Sequence, residues 1–241
     1  MDKLINGAKQ LGLPLNPRQV EQFEIYYQEL ANWNRRVNLT AITDYEEVQL
    51  KHFLDSLTIV LVLKDEAWAK EDFLLLDVGT GAGIPGVPLK IILPEVRLML
   101  LDSVAKKTTF LQHLVERLSL EHVEVLTGRA EDMAHEENYR EHFNLVVSRA
   151  AGKLSTVVEL SLPFCREGGF FIAPKKGQIE EELSQAVKAI DILGGRLKEV
   201  KKVELEGLEP RFLVVVSKVS PTPQRYPRRA GVPAKRPLGR N

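Results

Sequence analysis

Residues 74–91, LLLDVGTGAGIPGVPLKI, hold the densest chemistry in the 241-residue chain: Asp77 ends an apolar run, and Gly79, Gly81, Gly83 and Gly86 follow it. Glycines at this spacing admit positive φ angles and let backbone approach a ligand closely. Asp102 closes the next apolar run, RLMLLD, where a carboxylate can accept hydrogen bonds from a ribose diol. Read from Gly81 the loop fits G-x-G-x-x-G, a dinucleotide cradle. Read from Asp77 it fits D-x-G-x-G-x-G, the first motif of many S-adenosylmethionine (SAM) methyltransferases. Three features favour SAM. Asp77 can pair with the amino group of a methionine moiety, directly or through water, and would repel a pyrophosphate. RAED (129–132) follows a third strand-like run, the place from which methyltransferases reach adenine. RLKEVKKVEL and RFLVVVSK, near the C-terminus, suit a closing hairpin, which is a methyltransferase habit.

Other candidate groups end later apolar runs. Arg149 follows FNLVVS (143–148) and should point toward the crevice above the strands. There it can serve as a fork for guanine or phosphate, shape the cofactor site, or sit in a structural ion pair. Lys175 and Lys176 follow GFFIAP (169–174), and at least one should face the same rim. The histidines at 52, 113, 122, 135 and 142 show none of the spacings of a zinc site, and Cys165 is alone. Neither a metal centre nor a disulfide framework is expected. Cys165, in LPFCREGG, reads as a buried packing residue.

These groups need a frame to bring them together. From Phe73, short apolar runs alternate with helix-length stretches such as VAKKTTFLQHLVERLS and QIEEELSQAVKAIDIL. That pattern predicts an α/β, Rossmann-like sheet covered on both faces, mostly parallel with an antiparallel C-terminal edge. Upstream, Asn16, Pro17 and Gln19 form a helix start, and Val20, Phe23, Tyr27, Leu30 and Val37 give that helix an apolar face. Thr43 and Glu46 fit a second capping box, opening YEEVQLKHFLDSLTIVLVL, whose end is apolar nearly all round and should be buried. The organisation expected is a helical extension (1–66), a SAM-binding domain (67–219) and a basic tail (220–241).

Hydrophobic residues make up 44% and charged residues 27%, the profile of a soluble globular chain. The first residues lack a signal-like segment, and the longest apolar run, LTIVLVL, is too short to span a membrane, so a cytoplasmic protein without membrane contact is expected. Net charge is zero, yet the tail SPTPQRYPRRAGVPAKRPLGRN carries six basic residues and no acidic one, leaving 27 basic against 33 acidic residues elsewhere. A basic, proline-rich end on an acidic body suits a nucleic-acid partner. Disorder, or an extended arm that orders on its target, is expected: Arg225, Arg228, Arg229, Lys235 and Arg236 would meet phosphates and Tyr226 would stack on a base.

WNRRVNLTAITDYEEVQLKHFLDSL (33–57), LLDVGTGAGIPGVPLKI (75–91), LLDSVAKKTTFL (100–111), GRAED (128–132), VVSRA (146–150), PKKG (174–177) and YPRRAGVPAKRPL (226–238) together resemble the bacterial small-subunit ribosomal RNA guanine-N7 methyltransferases, the methyltransferase G family once called glucose-inhibited division protein B. The resemblance runs essentially from end to end. It implies methyl transfer from SAM to N7 of one guanine in the decoding-region loop of 16S ribosomal RNA, with that RNA or the small ribosomal subunit as partner. It also implies that Gly79 and Ile84 touch the methionine side of SAM, that Asp102 and Ser103 hold the ribose, and that Ala130 and Glu131 border the adenine. Arg149 matches the family's arginine near cofactor and target. His52, the one histidine inside a family motif, would with Asn38, Lys51 and Asp55 order the helical junction or touch RNA. Asn144 departs from the family's more frequent aspartate. Guanine N7 has an available lone pair, so the chemistry requires no general base. Nothing in the chain demands more than a monomer.

Overall fold

The computed structural model describes residues 1–63, 72–150 and 152–239. The expected 66/67 boundary and Arg240 of the tail lie outside these residues. Among them, β1 (Leu74–Val78), β2 (Arg97–Asp102), β3 (Val123–Thr127), β4 (Phe143–Val147), β5 (Cys165–Lys176), β6 (Gly195–Leu205) and β7 (Leu208–Lys218) form one sheet in the order β3-β2-β1-β4-β5-β7-β6. The first five strands are parallel, and β7 runs antiparallel to β5 and to β6. The mostly parallel sheet with an antiparallel edge is the architecture that the alternating pattern predicts. Because β1 lies between β2 and β4, the connection leaving β1 runs one way across the sheet and the connection leaving β4 runs the other, which puts a switch point at the carboxyl ends of these two strands. Open α/β sheets bind ligands at such a switch point.

Strand alternation splits the sheet's side chains between two cores. Leu75, Leu100, Leu145, Val147 and Ile172 face one, while Leu76, Val78, Leu101, Val146 and Phe171 face the other. The N-terminal helices α1 (Asp2–Gln10) and α2 (Pro17–Asn34) share the first core with the sheet. Asn16 Oδ1 accepts from Gln19 N–H at 2.9 Å and Gln19 Oε1 accepts from Asn16 N–H at 3.0 Å, closing the expected capping box. Phe23, Tyr26 and Leu30 are the buried apolar residues of α2, and Tyr27 is only half-buried. The inward tyrosine is therefore Tyr26, one position from the one the apolar pattern selects. The Tyr26 ring packs against Phe53 at a tilt of 35°, and its hydroxyl donates to the Ala82 carbonyl at 2.6 Å.

The second expected capping box is displaced by one residue. Asp44, not Thr43, caps α3 (Tyr45–Val48), its carboxylate accepting from Glu46 N–H and Glu47 N–H. The helix then widens into a π-type turn over Gln49–Leu54 before α4 (Asp55–Leu57) and α5 (Val60–Leu63). The apolar end is buried as its composition requires: Leu57, Ile59, Val60 and Leu63 all lie in the first core. The sheet's remaining cover comes from α6 (Gly86–Ile92), α7 (Ala105–Arg117), α8 (Ala130–Met133), α9 (Leu154–Ser161) and α10 (Glu180–Ile192).

The tail is neither disordered nor an extended arm. It packs on the second core, where Tyr226 is 7% exposed, and forms a last turn, α11 (Val232–Lys235). The Arg140 guanidinium donates to the carbonyls of Ala134, Thr222 and Tyr226. Composition hid this because prolines and arginines signal solvation, whereas here the partners are backbone carbonyls and a buried carboxylate far away in sequence.

Candidate functional site

The glycine loop rises from β1 and is pinned to the end of β2. Gly79 N–H and Thr80 N–H donate to the Leu101 carbonyl at 2.8 and 3.1 Å. Asp102 Oδ2 accepts from Gly81 N–H and Oδ1 from Val104 N–H, both at 2.9 Å. Each carboxylate oxygen keeps a second lone pair for a hydroxyl. Gly79, Asp102, Ser103, Ala130 and Glu131 line one cavity of about 160 Å³. Five of the expected cofactor residues, drawn from three separate segments, thus meet at the carboxyl ends of the parallel strands.

Asp77, Gly81, Gly83 and Ile84 are not among its lining residues; they build the loop from behind. Gly83 takes φ +91° and is wedged against Val87, Leu111 and the Tyr26 hydroxyl. Asp77 is fully buried, and its Oδ2 accepts from Thr80 Oγ1 at 2.7 Å and Gly86 N–H at 2.8 Å. Its Oδ1 is buried without a hydrogen-bond partner. Burial pushes the Asp77 carboxyl up to about 6, against the Thr80 and Gly86 hydrogen bonds and the positive charge of Arg149.

A larger cleft of about 560 Å³ lies beside the first, and Ala150 lines both. Its basic residues are Lys51, Arg149, Lys175, Lys176 and Arg211, and its acidic ones Asp55, Glu182 and Glu209. The π-type turn supplies Lys51 and His52, and Asp55 follows directly at the start of α4. Arg149 donates from Nη1 to Asp55 Oδ2 and to the Lys51 carbonyl, each at 2.8 Å, and from Nη2 to His52 Nδ1 at 3.1 Å. With Nδ1 accepting, the ring proton sits on Nε2, which donates to Thr40 Oγ1 at 2.7 Å. Burial, with the nearby Arg149 charge, pushes the His52 imidazole down to about 4. Arg211 Nε donates to Asp55 Oδ1 at 2.8 Å, so one buried carboxylate holds two guanidinium groups. Lys175 donates to Glu182 Oε1 and to the Gly152 carbonyl, both at 2.9 Å, and Lys176 is exposed.

Residues 19–210 match the family model described as rRNA small subunit methyltransferase G. The chain belongs to this family. It is 53% identical over 239 residues to Ribosomal RNA small subunit methyltransferase G of Dehalococcoides mccartyi (strain CBDB1), covering 99% of this chain and 100% of that protein. Identity to the protein of the same name from Roseiflexus sp. (strain RS-1) is 48% over 238 residues, again covering 99% and 100%. The fold is also that of Aeropyrum pernix fibrillarin, solved with natively bound S-adenosyl-L-methionine, at a TM-score of 0.51 and 14% identity, covering 66% of this chain and 73% of that one. As a methyltransferase G family member, the chain is a SAM-dependent ribosomal RNA methyltransferase.

Within the methyltransferase G frame, the residues present fit SAM. The ribose and adenine candidates converge on one cavity, and the orphaned Asp77 Oδ1 is the kind of buried acceptor that a cationic amino group or a water satisfies. The departure at Asn144 is absorbed locally, because its Oδ1 accepts from Leu74 N–H at 3.0 Å, a task needing no charge. Arg211 and Glu182 escaped the sequence reading, though a lone arginine opening the apolar run RFLVVV was a signal for a buried acid. Two tail residues do not present themselves to a ligand. Tyr226 is buried with the Arg225 guanidinium 5.0 Å over its ring, and Arg228 grips Glu159, so neither base stacking by Tyr226 nor a phosphate contact by Arg228 is open. Arg225, Arg229, Lys235 and Arg236 remain exposed. Cys165 is buried, and burial pushes its thiol up to about 12, as befits a packing residue. Among the described residues, no helix is long and apolar enough to cross a membrane, and no group of three or more His, Cys, Asp and Glu side chains could hold a metal ion.

Proposed function

We propose that this methyltransferase transfers the SAM methyl group to N7 of a guanine in the decoding-region loop of 16S ribosomal RNA, acting as a cytoplasmic monomer. Gly79, Asp102, Ser103, Ala130 and Glu131 would hold SAM, which supplies an electrophilic methyl on sulfur. The loop built by Asp77, Gly81, Gly83 and Ile84 would fix the methionine end. The basic cleft across Ala150 would take the flipped guanine and its flanking phosphates, with Lys175, Lys176 and the uncommitted Nε–H of Arg149 as donors. Arg225, Arg229, Lys235 and Arg236 extend the positive surface for RNA.

The observation that carries this reading is the state of the acid–base groups beside Ala150. Asp55 is saturated by two arginines, and His52 is neutral at physiological pH with both ring nitrogens engaged. Asp55 and His52 can therefore orient a nucleophile through the groups they hold, but neither is vacant to deprotonate one. Guanine N7 suits this arrangement, since its lone pair needs only alignment at near-attack distance.

The test is methyl transfer from labelled SAM to small ribosomal subunits lacking the modification, followed by nucleoside analysis. Label in 7-methylguanosine from a single site is expected. Label on an exocyclic amine or on a ribose would refute the proposal.

A further inference from the structure

The C-terminal segment lies against the outer wall of the smaller cleft, and its backbone holds two of the side chains lining it. Gly231 N–H donates to Glu131 Oε1, and Thr156 Oγ1 donates to the Pro233 carbonyl, each at 3.0 Å. Both Glu131 and Thr156 line the cavity. One turn farther along α9, the fully buried Glu159 carboxylate accepts from Arg228 Nε at 2.8 Å, Nη2 at 2.6 Å and backbone N–H at 2.9 Å. The segment is anchored at its near end too. Thr222 N–H donates to Glu141 Oε1 at 2.6 Å, and His135 Nε2 lies 2.9 Å from the Pro227 carbonyl.

These contacts do more than bury a tail. A backbone N–H on a carboxylate is directional, so it selects one rotamer of Glu131. The charge clasp on Glu159 fixes α9 against the same wall, because an unpartnered buried carboxylate is costly. We propose that residues 222–236 are a positioning strap for the cofactor site, holding Glu131 and α9 in the arrangement that receives the adenosine half of SAM. Arg228 and Gly231 are then positioning residues that act through Glu159 and Glu131. The proposal rests on SAM occupying this cleft. Coupling between two sites is reciprocal, so SAM tightens the strap by the factor through which the strap tightens SAM.

Two measurements on the full chain test this. Trypsin cleavage after Arg228 and Arg229 is followed with and without SAM, using cleavage after Arg36, in the loop following α2, as internal reference. Calorimetry gives SAM affinity for the wild type, Arg228→Ala and Arg228→Lys. Saturating SAM is expected to slow strap cleavage about tenfold relative to the reference. Arg228→Ala should weaken SAM about tenfold, with Arg228→Lys recovering part of the loss. A merely structural role would lower the melting temperature of Arg228→Ala and leave SAM affinity and strap protection unchanged, which would overturn the proposal. Should Arg228→Ala not fold, wild-type cleavage decides alone, and rates indifferent to SAM sink the strap. Asp102→Asn separates the two layers of the argument. Weak SAM binding there with normal binding in Arg228→Ala overturns the strap alone; normal binding in both removes the cleft assignment and the strap with it.

Discussion

Asp77 illustrates how one side chain can be costly to the fold and useful to the site. Its carboxyl is raised from 3.8 to about 6, so the folded state holds a proton that the unfolded chain has lost. Its stabilising contribution is therefore fully present below about pH 4 and is lost as pH rises through 6. His52, depressed from 6.5 to about 4, works in the opposite sense: its contribution is present above 6.5 and is lost as pH falls toward 4. The Asp77 part is isolated by comparison with Asp77→Asn, whose carbonyl oxygen can still accept from Gly86 N–H. At pH 8 the variant should be more stable by on the order of 2 kcal/mol in urea unfolding, with the advantage vanishing near pH 4. SAM binding should weaken in the variant, and in the wild type it should weaken as pH drops below 6. An Asp77→Asn protein no more stable than the wild type at pH 8 would mean that the buried charge is better solvated than the structure indicates.

At the element scale, the glycine loop works because its residues face opposite ways. Gly81 takes φ +61° with no atom nearer than 4.0 Å to the position of an added Cβ. At Gly83 the same addition meets Val87 at 2.8 Å, and Leu111 and the Tyr26 hydroxyl at 3.0 Å. Gly81→Ala should thus cost about 1 kcal/mol, the strain of a left-handed backbone alone. Gly83→Ala adds a steric clash with Val87 of α6, Leu111 of α7 and Tyr26 of α2 and should cost about 3 kcal/mol, with SAM affinity falling as the loop is pushed away from them. Chemical denaturation of the two variants checks the order; equal losses would show that the wedge relaxes freely. The π-type turn at Gln49–Leu54 plays a comparable part across the site, since it precedes Asp55 and presents the Lys51 carbonyl and His52 to Arg149. Such turns are frequent at functional sites. An extra residue shifts the phase of the following side chains by about 100°, and over helical pieces this short that shift is not separable from irregular spacing.

For the whole molecule, the folded tail changes what truncation means. An arm free in solution could be removed with loss of RNA affinity only. Here, ending the chain at Val219 strips Thr222 from the buried Lys218 ammonium and three carbonyl acceptors from Arg140, and leaves Glu159 buried without Arg228. The truncated chain should lose at least about 2 kcal/mol, lowering the melting temperature by ~4–8 °C in a calorimetric scan. An unchanged melting temperature would restore the picture of an independent arm. The charge asymmetry that drew attention to the tail is real but divided: Arg228 is spent on an internal acid, while Arg225, Arg229, Lys235 and Arg236 stay exposed.

Sequence alone determined what depends on neighbours along the chain. Strand–helix alternation gave the parallel sheet, the closing hairpin gave its antiparallel edge, Asn16 and Gln19 gave a helix start, and glycine spacing with Asp102 and RAED gave one wall of the smaller cleft. These follow from period, capping and backbone freedom, all encoded within a few residues. Tertiary structure decided which partners distant charges find. Arg149 meets Asp55, Arg211 meets the same carboxylate, and Arg228 meets Glu159 across 94, 156 and 69 positions of sequence separation. Such pairings arise where burial makes an unpaired charge costly, and burial is a property of the packed chain, not of any local stretch.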